Sequence, residues 1–315
     1  MTSTPAITAL VGALRARPTV HFGDDLSPPV RDALVAWALT RGLEVTEHGA
    51  TLTITARPEH VTGAAWVHSP NAGIEHLVSS LPDDVLLTRT TGTMPQRIAE
   101  YVLAWVLADR WQAARYLADS ASATWDPSNP PTPPDRNGAV VVGTGAMGRA
   151  IAQALATIGH RVTGLSRSGR AADAFDVVLP LAAAHETAAL DGAHADVLVL
   201  ALPHTPQTDG LITPELLRAF DGVHLINIGR GSALRTDTLL TALDTGRVRH
   251  ATLDVTEQEP LDPSSPLWRR QDVTITPHVS GLTLPSDVVS DVDAALTQLR
   301  AGTRPTSAVT PGRGY

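Results

Sequence analysis

Cysteine does not occur among the 315 residues. Disulfides, thiolate metal ligands and thiol nucleophiles are therefore excluded, and the composition suits a reducing cytoplasm. Long apolar runs are missing too. Val197-Leu198-Val199-Leu200-Ala201-Leu202 is among the longest, far short of the ~20 residues that span a bilayer. The first residues lack a basic start followed by a long apolar stretch, so no export signal is read there. These absences predict a cytoplasmic protein with no membrane partner. A formal net charge of −8 argues against nucleic acid as a partner, but it leaves room for a local basic pocket that binds an anion. None of the 12 histidines falls in an HExxH or similar spacing, so no metal site is expected. No internal repeat is found.

What is present is enough chain for two domains, each with its own core. Pro127-Ser128-Asn129-Pro130-Pro131-Thr132-Pro133-Pro134 reads as an extended connector, because proline fixes φ and removes donors. Beyond it strands and helices alternate. The strands are predicted at 139–142, 161–165, 196–202, 223–228, 250–255 and 273–276. A helix runs from Met147 to about Ile158, and others begin at Thr213-Pro214-Glu215 and Thr236-Asp237. Such alternation implies a parallel sheet covered on both faces.

A second α/β unit precedes the connector. It has strands at 19–22, 43–46, 52–55, 65–68 and 85–88 and a helix at 29–40. An apolar helix over about 96–111 joins the halves. The last helix, about 286–300, follows the final strand and has no strand of its own to serve, so the simplest packing returns it to the first domain. The expected division is a substrate domain of residues 1–95 plus 284–315, and a dinucleotide-binding domain of residues 96–283.

Gly143-Thr144-Gly145-Ala146-Met147-Gly148 is a GxGxxG sequence with a strand before it and a helix after it, the context that the motif requires. Glycines let the backbone approach a pyrophosphate, and the helix N-terminus offers free N–H groups and partial positive charge. Versions that bind NAD end the next strand with an acidic residue for the ribose 2′-hydroxyl. Here that place holds Ser166, followed by Arg167, Ser168, Gly169 and Arg170. Opposite charges about 4 Å apart near a surface attract by roughly 4 kcal/mol before salt screening, and arginine grips phosphate bidentately. NADP(H) is therefore predicted over NAD(H), with NAD(H) still possible. The competing reading makes Arg167 a solvated loop residue.

Three further residues each follow a short β-branched, apolar run. They are Arg230 in Asn227-Ile228-Gly229-Arg230-Gly231, Glu259 in Leu253-Asp254-Val255-Thr256-Glu257-Gln258-Glu259-Pro260, and His278 in Thr276-Pro277-His278. Open α/β sheets collect ligands at strand C-termini. A cation, a carboxylate and an imidazole delivered there would polarise a carbonyl and give it a proton.

At this point the chain resembles the D-2-hydroxyacid dehydrogenase family, of the glyoxylate/hydroxypyruvate reductase kind. The resemblance rests on Gly143–Gly148, the segment Leu202-Pro203-His204-Thr205-Pro206-Gln207-Thr208-Asp209-Gly210-Leu211-Ile212, Asn227–Gly231, Leu253–Pro260 and Thr276-Pro277-His278-Val279-Ser280-Gly281. Ala99-Glu100-Tyr101 and the closing Gly312-Arg313-Gly314-Tyr315 match as well. It implies a Rossmann-type doubly wound parallel sheet inserted into a smaller, flavodoxin-like α/β substrate domain, usually as a homodimer. The reaction it implies is hydride transfer between a nicotinamide cofactor and a small 2-oxo or 2-hydroxy acid.

By the same resemblance Arg230 binds the substrate's carboxylate and carbonyl oxygen, His278 moves the proton, and Glu259 orients His278. The loop Ser69–Glu75 meets the substrate carboxylate through Ala72, Gly73 and Ile74. Leu202, Pro203, Thr208, Ile228, Gly229, Asp254 and Gly281 join the cofactor site, Asp254 near its nicotinamide end. Glu257 is read as a solvated loop carboxylate. Phosphite-oxidising relatives place a lysine near residues 69–75, and this sequence contains no lysine at all. Formate-specific relatives carry glutamine in place of Glu259.

Two departures stand out. The chain between Thr55 and Trp66 is shorter than usual, and Asp135-Arg136-Asn137-Gly138 replaces the usual basic lead-in to the phosphate-loop strand. Met94, Trp111 and Trp125 are read as core or dimer-interface residues, with pocket lining as the alternative. The rival function on this fold is a dinucleotide-sensing regulatory or interaction protein.

Overall fold

The structure, a computed structural model, describes residues 4–16, 18–61, 63–131, 138–182 and 195–309. The sequence readings at Thr132–Asn137 and Gly312–Tyr315 lie outside these residues. The chain divides into two compact units, Met1–Met94 with Leu282–Tyr315, and Pro95–Gly281. Among the described residues no helix is long and apolar enough to cross a membrane.

The first unit is built on five parallel strands: β1 (Thr19–Phe22), β2 (Glu44–Val45), β3 (Leu52–Ile54), β4 (Trp66–Ser69) and β5 (Leu86–Arg89). Their order, β2-β1-β3-β4-β5, is that of flavodoxin-like sheets. Leu52, Ile54 and Trp66 are completely buried, as expected of strands covered on both faces. Three helices cover one core: α1 (Thr4–Ala16), α2 (Pro28–Arg41) and the last helix of the chain (Pro285–Arg300). The first of these was not expected from sequence. It lacks acidic residues in its first turn and is held by the burial of Leu10 and Leu14.

The last helix packs on α2. Asp293 accepts from Trp37 Nε1 at 2.8 Å and from Arg41 at 2.5 and 2.6 Å. Asp287 and Asp291, in its first two turns, accept the backbone N–H groups of Thr91, Gly92 and Thr93. Between β4 and β5 lies a four-residue helix, α3 (Glu75–Val78).

The second unit takes in the long helix α4 (Met94–Arg110) from Pro95 onward, followed by α5 (Ala113–Ala121). Seven strands follow: β6 (Gly138–Val142), β7 (Arg161–Ser166), β8 (Val177–Pro180), β9 (Ala195–Leu200), β10 (Val223–Asn227), β11 (Val248–Leu253) and β12 (Val273–Ile275). All pairings are parallel, in the order β12-β11-β10-β9-β6-β7-β8. This is the Rossmann order 3-2-1-4-5-6 with one strand added, and it reverses between β6 and β9. Helix α6 (Ala146–Thr157) follows β6, α7 (Pro214–Leu217) precedes β10, and α8 (Thr236–Asp244) precedes β11. Thr213 caps α7 as its sequence suggested, its hydroxyl accepting from the Leu216 N–H. The edge strand β8 and helix α5 were not read from sequence. Val177 and Leu117 are exposed there, so neither segment shows a continuous buried stripe.

Candidate functional site

The C-terminal ends of β6, β9, β10, β11 and β12 lead directly into the segments that the sequence singled out. After β6, Gly143 takes φ +109° and donates its N–H to Leu165 O at 2.8 Å. A Cβ on Gly148 would lie 1.8 Å from Gly143 O, so only glycine lets α6 start this close to the strand. Gly145 has nothing within 4 Å of a built Cβ, and Gly145 and Ala146 are exposed. The loop thus offers an open face at the start of a 12-residue helix, which fits a pyrophosphate. At the end of β7, Ser166 Oγ accepts from Gly169 N at 3.1 Å and closes the turn. Arg167, Ser168 and Arg170 are exposed. Neither arginine has an ion-pair partner among the described residues, which leaves two guanidinium groups beside the place where a ribose would sit.

After β9, Thr208 Oγ1 donates to Pro203 O at 2.7 Å and accepts from Thr205 N at 2.8 Å. Its hydroxyl therefore shapes the 203–208 turn. Leu202 lies against Gly229, where a Cβ would approach its oxygen to 2.5 Å. Ile228 is buried. After β10, buried Asn227 accepts from Gly229 N at 3.2 Å and donates to Arg230 O at 3.3 Å. Arg230 is half-buried, and its Nη1 donates to Gly229 O at 2.9 Å. The next residue, Gly231, packs against the Thr256 carbonyl.

After β11, Glu259 Oε1 accepts from Thr256 N at 3.1 Å, and Glu259 Oε2 lies 2.8 Å from His278 Nδ1. A carboxylate only accepts here, so the ring carries its proton on Nδ1, and Nε2 is the nitrogen left for chemistry. Both side chains are substantially exposed, at 49% for His278 and 40% for Glu259. His278 has φ +54°, a left-handed conformation that costs an L residue about 1–2 kcal/mol. Strain of this kind persists only where the surroundings enforce it.

Those surroundings centre on Asp254, which is 1% exposed. Its Oδ1 accepts from Thr276 Oγ1 at 2.6 Å and Val279 N at 2.8 Å, and its Oδ2 accepts from Ser280 N at 2.9 Å. The carboxylate read as a cofactor contact is thus engaged by the loop that carries His278. The reading of Glu257 needs correction. Although exposed, it accepts from Thr236 N at 2.6 Å and Arg235 Nη1 at 3.1 Å, so it caps α8 rather than standing free in solvent. Burial opposes its charge, but the Thr236 and Arg235 bonds outweigh that and hold its carboxyl below the ordinary range.

In the first unit, the loop of Ala72, Gly73 and Ile74 follows β4. Ile74 is buried. Arg89 Nη1 donates to Ala72 O at 3.0 Å. Among the described residues the N–H groups of Ala72, Gly73 and Ile74 meet no acceptor. Met94 is buried, whereas Trp111 and Trp125 are exposed.

One group of metal-ligand types occurs among the described residues: Asp24, Asp25 and His60, with ligand atoms within 4.8 Å of one another. The separation of 35 residues from Asp25 to His60 puts this group beyond any local ligand spacing. Asp25 is already occupied by the Thr55 hydroxyl at 2.7 Å and the Ala56 N–H at 2.8 Å.

Comparison with known proteins adds the following. The family profile described as "D-isomer specific 2-hydroxyacid dehydrogenase, NAD binding domain" matches residues 103–280. An uncharacterised protein in the mprR 3′ region of Streptomyces coelicolor is 39% identical over 255 residues, 79% of this chain and 89% of that protein. Glyoxylate/hydroxypyruvate reductase A of Serratia proteamaculans (strain 568) is 36% identical over 239 residues, 75% of this chain and 74% of that protein. The NADPH-dependent glyoxylate/hydroxypyruvate reductase of Sinorhizobium meliloti, solved with NADP and sulfate, superposes with a TM-score of 0.81. It is 26% identical, and the alignment covers 95% of this chain and 100% of that one.

Proposed function

This chain belongs to the D-isomer specific 2-hydroxyacid dehydrogenase family, and from that premise we propose that it reduces a small 2-oxo acid of the glyoxylate or hydroxypyruvate kind to the D-2-hydroxy acid, with NADPH preferred. The observation that carries the reading is the contact of His278 Nδ1 with Glu259 Oε2 at 2.8 Å, on loops that leave adjacent parallel strands. When bound, the cofactor supplies the hydride. His278 Nε2 holds the proton that goes to the substrate's carbonyl oxygen, and takes it back in the oxidative direction. Glu259 keeps Nδ1 protonated and the ring in one orientation.

Arg230, on the loop after β10, grips the substrate carboxylate bidentately and polarises the carbonyl. In the first unit, the N–H groups of Gly73 and Ile74, which meet no acceptor among the described residues, are donors suited to a carboxylate. The open loop from Gly143 to Gly148 holds the pyrophosphate. Arg167 and Arg170 favour a 2′-phosphate over a 2′-hydroxyl by charge, and the NADPH-dependent relative from Sinorhizobium meliloti is consistent with this.

A homodimer is part of the same proposal. Trp111, Leu117 and Trp125 are 62, 72 and 94% exposed, an apolar display that monomeric proteins usually cover. The deciding assay follows NADPH oxidation against a panel of 2-oxo acids that includes glyoxylate and hydroxypyruvate, with NADH in parallel. Turnover of none of them would refute the activity. Equal or better turnover with NADH would refute the cofactor preference.

A further inference from the structure

We infer that Tyr101 and Thr276 are positioning residues for His278, acting through the buried carboxylate of Asp254; the inference rests on His278 being the proton-transferring group. Tyr101 lies on α4, and its Oη is 2.6 Å from Thr276 Oγ1, a residue 175 positions away in the chain. Thr276 gives its hydroxyl proton to Asp254 Oδ1 at 2.6 Å. A hydroxyl has one proton to give. The proton in the Tyr101–Thr276 contact is therefore Tyr101's, and the relay has one direction: phenol to threonine to carboxylate. Burial, the larger cause, and the nearby Asp254 charge push the phenol up to about 12, so the donor is not lost at any ordinary pH.

The relay ends on the main chain of the catalytic loop. Asp254 Oδ1 and Oδ2 accept the N–H groups of Val279 and Ser280, and Asp254 O accepts the N–H of His278 at 2.9 Å. Three successive amides thus converge on one residue, and together they hold the left-handed conformation of His278. A buried carboxylate needs its lone pairs filled. Water does that at a surface. Here the Thr276 hydroxyl, itself held by Tyr101, fills one of them, so the carboxylate stays stationary while it grips the loop. Glu259 sets how the imidazole is turned about its own bonds. The relay sets where the Cα that carries the imidazole stands.

The test uses Tyr101→Phe, Thr276→Val, Thr276→Ser and the Phe/Val double variant in the full chain. The readings are kcat, KM for the 2-oxo acid, NADPH Kd by fluorescence and the thermal midpoint. Tyr101→Phe and Thr276→Val should each lower kcat by about tenfold or more, the scale of a sub-ångström to 1 Å misplacement. NADPH Kd and substrate KM should stay within about twofold, since neither hydroxyl faces a ligand in this account. Thr276→Ser should recover most of what Thr276→Val loses. The double variant should be no slower than Thr276→Val, because both changes cut one chain.

Unchanged kcat in Tyr101→Phe, additive losses in the double variant, or Thr276→Ser as slow as Thr276→Val would each overturn the inference. Amide hydrogen exchange reads the relay without turnover. Tyr101→Phe should speed exchange at residues 278–280 relative to β11, and unchanged exchange there also counts against it. A normal relay by exchange in a protein that turns over no 2-oxo acid overturns the functional reading and, with it, the assignment of these residues to catalysis.

Discussion

His278 and Glu259 meet at 2.8 Å across 19 residues of sequence, Nδ1 against Oε2, with Glu259 also anchored by the Thr256 N–H. The carboxylate is thus tied to its own loop on one side and to the imidazole on the other. Replacing His278 with alanine should lower kcat by about 10²–10⁴-fold, the usual scale of general acid catalysis, and leave NADPH affinity intact. Glu259→Gln retains the shape but loses the charge and lets the side chain flip. Turnover should then fall by about 10²-fold, as for a misplaced reactive group. Single-turnover measurement of NADPH oxidation checks both, and near-wild-type rates in either variant would remove the pair from the mechanism.

Arg167 stands exposed just beyond β7, with no ion-pair partner among the described residues. Arg167→Ala should raise the KM for NADPH by about tenfold, the value of one charge-assisted hydrogen bond, and leave that for NADH unchanged. Arg167→Ala with Arg170→Ala should widen the effect. An unchanged NADPH-to-NADH ratio in the double variant would show that neither guanidinium reads the 2′-phosphate.

Arg89 donates to Ala72 O at 3.0 Å. In a planar trans peptide the C=O of Ala72 and the N–H of Gly73 point in opposite directions. By holding the oxygen, Arg89 therefore fixes where the Gly73 donor aims. Arg89→Met should raise KM for the 2-oxo acid by about tenfold, roughly one hydrogen bond to a charged group, while NADPH Kd stays unchanged. A variant with unchanged KM would free this loop from any part in binding the carboxylate.

A buried histidine and a half-buried aspartate give stability opposite pH dependences. His68, enclosed between Thr88 and Thr90, is pushed down to about 3 by burial from an ordinary 6.5. Between those values the unfolded chain binds the proton and the folded chain does not, so this contribution is complete above 6.5 and is lost as pH falls. Asp196 is pushed up to about 6 from 3.8, chiefly by burial. Here the folded chain holds the proton in the window, so its contribution is full below 3.8 and declines as pH rises to about 6.

Asp196→Asn should therefore stabilise the protein more at pH 7.5 than at pH 4. His68→Asn should flatten the loss of stability between pH 6.5 and pH 4. Urea unfolding at several pH values reads both. A pH-independent difference between wild type and Asp196→Asn would contradict the assignment.

Much of the fold was legible because its signals are local. The glycine loop, the proline after Thr213 and the apolar strand runs act within a few residues, and β1 spans Thr19–Phe22 as the sequence indicated. Helix α1 and strand β8 escaped because their order comes from what they pack against. Leu10 and Leu14 gain a burial to order them only where the last helix of the chain covers the same core.

The amino-acid order by itself determined the two parallel sheets, the phosphate loop and the chemical identity of the three candidate groups at strand ends. It could not decide how those groups are held. Glu257 and Glu259 are two residues apart and chemically alike, yet one caps a helix and the other meets His278. The Asp254 side chain turned inward to two amides and a hydroxyl, Thr208 turned into its own turn, and Tyr101 reached Thr276 across most of the second unit's length. Side-chain periodicity is a property of neighbours along the chain. Hydrogen-bond partners across 19 to 175 residues are set by which strands lie side by side, and that is fixed only when the sheet closes its order.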